Sequence, residues 1–434
     1  MNLIRPLADS PSVRALRQGP PARALQGLRR LAQFWRFLSQ IFHPLPTGAV
    51  QSAAETAARY QELANSLCVP PDRLVPLARF ERAVEGEATL VGRMAHLAAE
   101  MVIANYCAMK TTDSFACAMR DQHAKPHGCV TAEFVVRDDL PGEFATALFR
   151  AGARYPTMVR FSNGNGKPQS DKRIDGRGMA IKLHNVERPT LLRELVPEKT
   201  PAGEHDFLLS SYPVFFCKNV IDYTELMDAV TAPCGTFSEK LAFAVRWFKF
   251  VVRYPRQFFT FLRIGVIPID DPLTFTYHSM SPFLFGEDHV VRYIVSPVIL
   301  ARKISWWHRL FSGPRSDNYL RDALVSDLRP TAQPGSGQVA FDFSVRVRDR
   351  ATPADVEDAS LWWTAPRDRV VKLASILIQR QNLEPDRQYA GERTMFSPWN
   401  CLPEHRPLGS VNRMRLAVYL ASLKVRQKLN MVSS

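Results

Sequence analysis

The chain has 434 residues, of which 46% are hydrophobic and 23% charged; this balance is typical of a globular protein and excludes a disordered one. Its formal net charge of +14 either favours anionic partners, such as membranes or acidic ligands, or gives only a basic surface. The seven cysteines are scattered without a Cys-x-x-Cys pair, which argues against a disulfide framework and a structural zinc site. With no recognisable signal peptide and no uncharged stretch of about 20 residues, we predict a cytoplasmic protein without a spanning helix.

Residues 1–48 differ in composition from the rest of the chain. They contain seven arginines and one acid, Asp9. Their apolar side chains recur at helical spacing, at Leu28, Leu31, Phe34, Trp35, Leu38 and Ile41. We predict a basic amphipathic N-terminal arm, followed by one domain over 49–434. Such an arm can lie on an anionic membrane surface, or it can pack against the domain or a partner subunit.

The domain begins with helical patterns and then changes to strand patterns. Helices are predicted over 49–67 and 84–109, where alanine and glutamate are abundant and apolar residues recur every three or four positions. From Gly128 the alternation of apolar and polar residues indicates strands, which we place at 130–136, 156–163, 178–184, 205–210, 273–280, 290–299 and 338–348. The mixture predicts an α+β fold with a mainly antiparallel sheet or barrel.

The segment 239–266 combines many aromatic residues with a cation every three to four positions. A shorter segment at 304–311 has a similar composition. Interfacial helices on membranes mix aromatics and cations in this way. The alternative is a helix packed on the sheet, with its cations reaching to water. Both interpretations remain open from the sequence.

His123 is the first candidate for chemistry, although a lone histidine is more often structural. It follows Arg120 by three residues, and Arg160-Phe161-Ser162 lies at the end of the next predicted strand. Ser162 can hydrogen-bond one ring nitrogen and fix the tautomer, which leaves the other nitrogen as a base.

The C-terminal segment supplies the second candidate. In a helix, Arg415 and Tyr419 lie one turn apart on one face, and Arg426 lies two turns further along that face. A nearby guanidinium and a bound ferric ion would together hold Tyr419 as the phenolate, a good ligand for ferric iron. Taken alone, the segment is better explained as a surface helix with solvated arginines and one packed tyrosine.

The two segments together resemble catalases, in the same order and with matching internal spacing. Arg120-x-x-His123-Ala-Lys is similar to the distal histidine motif, which implies that His123 is the distal base. Val159-Arg160-Phe-Ser162 resembles the next block, in which the serine supports the histidine and the arginine reaches a haem propionate. The stretch 206–216 is similar to the block with the distal asparagine, here Ser210, and the phenylalanine over the haem, here Phe215.

The proximal side shows the same resemblance. Arg415-x-x-x-Tyr419 resembles the proximal tyrosine motif, which implies that Tyr419 is the iron ligand, and Arg426 falls at that motif's propionate-binding position. The match covers roughly 115–225 and 405–427, and it is weak but collinear over about 270–350. It implies a catalase-like antiparallel barrel with surrounding helices, a long threading connection at 395–409 and a proximal helix near 409–428. The chain also resembles the short bacterial branch that lacks the C-terminal helical and flavodoxin-like domains.

The resemblance implies a haem, most simply b-type, whose two propionates would pair with Arg120, Arg160 and Arg426. Three departures from the catalase pattern bear on the chemistry. Ser210, with Ser211 beside it, replaces the distal asparagine; Gln122 stands at a usually apolar position; Pro126 and His127 replace small residues. These changes affect fast hydrogen peroxide dismutation more than haem binding.

The leading hypothesis is a haem-dependent, catalase-like peroxidase that reduces hydrogen peroxide or organic hydroperoxides. One alternative is a haem enzyme that converts fatty-acid hydroperoxides. Another is a haem-binding membrane-surface protein without turnover, in contact with the membrane through 1–48 or 239–266. A homo-oligomer is also expected. Nucleic-acid binding is not expected, because no recognised module accompanies the positive charge.

Overall fold

The computed structural model describes residues 76–110, 117–196, 202–231, 236–267, 269–298, 315–330, 338–364, 366 and 368–432. The arm predicted at 1–48, the helix predicted at 49–67 and the aromatic segment at 304–311 lie outside the described residues.

An antiparallel β-barrel forms the centre of the described structure. Its strands are β1 (Pro126–Val136), β2 (Arg154–Asn163), β3 (Arg177–His184), β4 (Glu204–Ser210), β5 (Tyr277–His278), β6 (Phe283–Phe285), β7 (His289–Pro297), β8 (Val339–Arg348) and β9 (Asp368–Ile378). They follow the order β5-β4-β3-β2-β1-β9-β8-β7-β6, and a β5–β7 pairing closes eight of them into a ring with β6 outside it. The predicted α+β fold with an antiparallel barrel is therefore confirmed.

The interior of the barrel is filled by side chains. Along β8, alternate residues from Phe341 to Val347 are buried, as expected for a strand with one face inward. Phe343 meets Phe134 and Phe207 with ring centroids 5.1 and 4.8 Å apart. These contacts make the barrel a packed core and not a pore, so its interior has no room for a ligand.

Helices surround the barrel within the described ranges. They are α1 (Glu87–Lys110), α2 (Leu191–Leu195), α3 (Val220–Val230), α4 (Phe237–Arg253), α5 (Pro255–Val266), α6 (Tyr319–Leu328), α7 (Pro353–Glu357), α8 (Pro385–Arg393) and α9 (Ser410–Val432). The long helices α1 and α9 pack together through small and apolar residues such as Ala95 and Ala421. None of the described helices is long and apolar enough to cross a membrane.

The structure differs from the sequence prediction at several elements, and three of them have a clear physical reason. Strand β9 was missed because a register shift opposite Phe343 and Ser344 leaves Leu373 without a paired residue, which interrupts the two-residue alternation. The strand expected over 273–280 is a turn of 3₁₀ helix followed by the two residues of β5. The segment 239–266 is two helices and not one, because Pro255 ends α4 and begins α5.

The connection between α8 and α9 runs along strand β4 and is held there by backbone contacts. Asp206 donates its N–H to the carbonyl of Asn400 at 2.7 Å, and its carboxylate accepts from the Ser397 N–H at 2.9 Å. The buried Trp399 donates its indole N–H to the carbonyl of Asn412 at 2.7 Å. These bonds fix the start of α9 relative to the barrel wall.

Candidate active site

A cavity of about 1160 Å³ lies between the outer wall of the barrel and the surrounding helices. Strands β2, β3 and β4 form one side, and α1, α3, α4, α5 and α9 contribute the others. All nine site residues predicted from the sequence line it, namely Arg120, His123, Arg160, Ser162, Ser210, Phe215, Arg415, Tyr419 and Arg426. Motifs almost 300 residues apart in the sequence thus share one cavity.

The backbone and ring of His123 are both held in place. Its N–H donates to the carbonyl of Gly164 at 3.1 Å, and its own carbonyl accepts from the Arg160 guanidinium at 2.9 Å. These bonds hold the residue at φ 58°, in the left-handed region that few side chains adopt. The ring Nδ1 lies 3.0 Å from Ser162 Oγ, which leaves Nε2 as the nitrogen without this partner.

The electrostatic surroundings of His123 favour the neutral ring. Burial and the guanidinium groups of Arg160 and Arg415 lower the pKa of His123 to about 4. At neutral pH the imidazole is therefore uncharged and can accept a proton.

A row of small side chains across three strands forms the floor beneath His123. Ser162 on β2 pairs with Gly178 on β3, which in turn pairs with Ser210 on β4. Paired residues point to the same face of a sheet, so both serines flank the glycine. A Cβ atom on Gly178 would lie 2.4 Å from His123 Cε1 and 2.5 Å from Nδ1. The ring can occupy this position only because residue 178 has no side chain.

The two serines at the distal position have different surroundings. Ser210 lines the cavity, and its hydroxyl donates to the carbonyl of Arg177 at 3.2 Å. Ser211 is buried, and its oxygen accepts from the Arg177 N–H at 3.0 Å. Because its single proton is used by a carbonyl, Ser210 presents acceptor lone pairs to the cavity and not a donor.

Helix α9, which lines the same cavity, brings Arg415 and Tyr419 together. Arg415 Nη2 lies 3.3 Å from the Tyr419 hydroxyl, as the one-turn spacing predicts. The other terminal nitrogen of Arg415 donates to Asn412 Oδ1 at 3.1 Å and to Ser281 Oγ at 3.4 Å. The guanidinium is thereby oriented by neutral oxygens and stays beside the phenol.

Among the charged residues that the sequence analysis did not single out is Glu392 on α8, which lies beside two of the predicted arginines. Its carboxylate lies 2.7 Å from Arg160 Nε and 3.0 Å from Arg120 Nη1. Burial raises the pKa of Glu392, but the two guanidinium groups outweigh it and hold that pKa below its usual value. Helix α8 is short and polar, and no motif links its sequence to Arg120 or Arg160. Nothing in the sequence therefore signals this contact.

Arg426, the third arginine predicted to bind a propionate, differs from Arg120 and Arg160 in its environment. Its side chain is buried, and its Nε has no hydrogen-bond partner among the residues that the structure describes. Burial lowers the pKa of Arg426, while Asp121 and Glu392 act in the opposite direction. A buried donor without a partner is costly, so this nitrogen is a natural contact for a bound anion.

His127 does not belong to the cavity wall. It is buried on β1, with Nδ1 3.8 Å from Asp171 Oδ2, and burial lowers its pKa to about 3. Gln122, the other departure in the distal segment, does line the cavity.

Known proteins resemble this chain at low sequence identity. No family model matches the chain. A catalase-related peroxidase from Mycolicibacterium paratuberculosis is 24% identical over 294 residues, which cover 63% of this chain and 79% of the relative.

Solved catalase structures resemble the chain at lower identity. Catalase A from Saccharomyces cerevisiae superposes with a TM-score of 0.52 at 14% identity, over 82% of this chain and 70% of the yeast chain. A bacterial catalase gives a TM-score of 0.49 at 16% identity over 81% of this chain, which spans only 62% of that catalase. The described residues therefore have a catalase-like fold.

Proposed function

We propose that the protein is a haem-dependent, catalase-related peroxidase that reduces hydrogen peroxide or an organic hydroperoxide. The observation that carries the proposal is the shared cavity. One wall bears a neutral histidine supported by Ser162, and the same cavity is lined by a tyrosine with an arginine at its hydroxyl. A metal-ligand phenol and a proton acceptor facing one space are the protein groups that such chemistry needs.

The residues of the cavity fit a b-type haem. Its volume of about 1160 Å³ lies above the range of roughly 300–1,000 Å³ that is usual for small-molecule pockets. Arg426 offers a buried Nε donor to a propionate, and Arg120 and Arg160 offer further guanidinium nitrogens. Tyr419, with Arg415 at its hydroxyl, would hold the iron as a phenolate.

The proposed mechanism assigns a task to each side chain. A bound haem would supply the redox chemistry of O–O cleavage. His123 Nε2 accepts the proton from one oxygen of the peroxide and returns it to the leaving oxygen, while Ser162 holds Nδ1 and so fixes the ring. Because Ser210 donates to a carbonyl, it orients peroxide less well than an amide donor would. An organic reductant therefore completes the reaction more readily than a second molecule of hydrogen peroxide does.

A fatty-acid hydroperoxide is the second candidate substrate. The side of the cavity formed by α4 and α5 carries apolar groups, including Phe243, Phe261 and Ile264. An acyl chain can pack against such a wall, whereas hydrogen peroxide gains nothing from it. Turnover of hydrogen peroxide and of a lipid hydroperoxide by the same haem-loaded protein distinguishes the two candidates, and the second is wrong if the lipid is no better.

Haem loading followed by spectroscopy tests the proposed function. We expect the wild-type protein to show a high-spin ferric spectrum with a tyrosinate ligand, and Tyr419→Phe to lose that signature. His123→Ala should keep bound haem and lose about 10²- to 10⁴-fold in peroxide turnover, the usual contribution of a general acid–base. His96→Ala, on the partly exposed part of α1, is the matched control and should change neither property.

Two results would contradict the proposal. Failure of the wild-type protein to bind haem, with adequate iron and precursor during expression, removes the cofactor. Unchanged turnover by haem-loaded His123→Ala removes the role of His123.

A further inference from the structure

The outer face of helix α4 carries a continuous row of exposed apolar residues. Phe237, Leu241, Val245, Phe248 and Val252 follow one another at intervals of four, four, three and four, which places them on one side of the helix. Phe237 is 84% exposed, Phe248 69% and Val252 64%. We call this row, together with Phe259 on α5, the outer stripe.

The outer stripe is separate from the side of α4 that packs against the core. The opposite side of α4 already packs into the protein through Phe243, Trp247 and Phe250, in a cluster that includes Phe258 of α5. Helix α4 is thus apolar on two sides, one buried and one exposed. Single exposed apolar residues are ordinary, but five on successive turns form a patch of the kind that marks an interaction surface.

The local sequence holds the stripe in this orientation. Thr236 and Glu239 form a capping box at the start of α4, with the Glu239 carboxylate accepting from the Thr236 N–H at 2.9 Å. Pro255 ends the helix at its other terminus. The helix is therefore specified by its own ends as well as by packing.

The charge around the outer stripe is positive. The cations of α4 and α5 are Lys240, Arg246, Lys249, Arg253, Arg256 and Arg263, all exposed. Glu239 is the last acid before Asp270 in the sequence. A row of phenylalanine, leucine and valine bordered by cations matches the boundary between the anionic headgroups and the acyl chains of a bilayer.

We propose that the outer stripe docks on an anionic lipid bilayer. A second copy of the chain is a poorer partner, because pairing of two identical patches brings the cations of one against those of the other. A nucleic acid would use the cations and leave the apolar row in water.

Docking through the outer stripe would also affect the cavity, a consequence that rests on the proposed function. The same two helices present Phe243, Phe261 and Ile264 to the cavity, on the side away from the stripe. The wall best suited to an acyl chain is thereby one helix away from the bilayer. A lipid hydroperoxide would then be the substrate class delivered to the site.

Vesicle sedimentation of the full-length protein tests the proposal. The vesicles consist of phosphatidylcholine alone or with about a third phosphatidylserine. We expect the wild-type protein to sediment with the anionic vesicles, less with the neutral ones, and less as salt is added. The triple variant Leu241→Gln, Phe248→Gln, Val252→Gln should bind at least about tenfold more weakly, because three exposed apolar side chains no longer enter the bilayer.

A matched control changes three exposed apolar residues elsewhere. Leu77→Gln, Leu195→Gln, Val370→Gln should bind vesicles like the wild-type protein. Both triple variants keep residues 1–48 intact. Circular dichroism and thermal unfolding establish that each variant is folded, which is expected because all six positions are exposed.

Three results overturn the proposal: no binding of the wild-type protein to anionic vesicles, equal binding by the stripe variant, or a change in oligomeric state of that variant without a change in vesicle binding. The last result would assign the stripe to a second copy. Hydrogen peroxide turnover by the same samples is a separate readout. If the wild-type protein shows haem-dependent turnover but does not bind anionic vesicles, docking is refuted and the proposed function stands.

Discussion

At the scale of single residues, the distal site combines a neutral base with an unusual charge arrangement. His123 keeps its neutral ring far below neutral pH, because burial and nearby guanidinium groups lower its pKa to about 4. Two guanidinium groups of the site, those of Arg120 and Arg160, are partly neutralised by Glu392, which bridges them. In a site proposed to receive two propionates, this internal carboxylate occupies two of the three arginines.

The charge of Glu392 should therefore oppose haem binding. We expect Glu392→Gln to tighten the apparent Kd for haem by about tenfold or more, a change of roughly 1.4 kcal/mol, because the propionates no longer compete with a partly buried anion. Absorbance titration of the haem-free protein measures it. Haem dimethyl ester has no propionate charge and should bind both proteins equally.

Glu384→Gln provides the control for this prediction. Glu384 lies at the start of the same helix α8 and is exposed, so its charge is screened by solvent. The prediction is wrong if Glu392→Gln leaves the Kd unchanged, or if haem and its ester gain equally.

At the scale of elements, the pairing register of three strands decides the position of the His123 ring. Ser162, Gly178 and Ser210 stand opposite one another on β2, β3 and β4. A shift of one residue in either pairing would move a serine to the other face of the sheet and put a bulkier neighbour under His123.

A methyl group at position 178 should displace His123 without unfolding the barrel. In Gly178→Ala the new Cβ would lie 2.4 Å from the ring, so we expect peroxide turnover to fall about 10²-fold while bound haem stays near the wild-type level. Steady-state turnover and the haem spectrum measure the two quantities. Gly142→Ala is the control, because no atom lies within 4 Å of a Cβ there. If turnover is unchanged in Gly178→Ala, the position of the His123 ring does not depend on the absence of a side chain at residue 178.

At the scale of the whole molecule, buried histidines couple stability to pH. His405 is fully buried among Phe149 and Phe285, with ring centroids 5.3 and 4.9 Å away, and burial lowers its pKa to about 3. In the unfolded chain a histidine titrates near 6.5. Between about pH 6.5 and pH 3, the unfolded state therefore binds a proton that the folded state does not, and the free energy of unfolding falls as the pH falls.

Replacing His405 with phenylalanine should remove this loss. Burial raises the pKa of Asp206 and of Asp175 to about 6, which opposes the histidines, so the comparison must be made between variant and wild type at each pH. Relative to pH 7, we expect His405→Phe to gain roughly 2 kcal/mol over the wild-type protein at pH 5, since each pH unit is worth about 1.4 kcal/mol per proton. Urea denaturation at both pH values measures the gain. If the free energies of unfolding of the two proteins differ by the same amount at pH 7 and at pH 5, His405 is not a source of the pH dependence.

The sequence by itself determined the parts of this protein that are written in local spacing. Arg120 and His123 lie within one short segment, and Arg415 and Tyr419 lie within one helical turn, so their relative positions follow from the geometry of the chain. The alternation of β8 predicted a half-buried strand, while the register shift in β9 hid a strand from the same rule.

Only the tertiary structure decided what those segments meet. Glu392 reaches Arg160 across 232 positions of sequence, and no local periodicity encodes such a contact. The exposed side of α4 could not be told from its buried side, because both are apolar and only packing against α3 and α5 selects one. Local sequence fixes the direction of a side chain relative to its own helix or strand, whereas its neighbour, its burial and hence its pKa depend on how those elements pack.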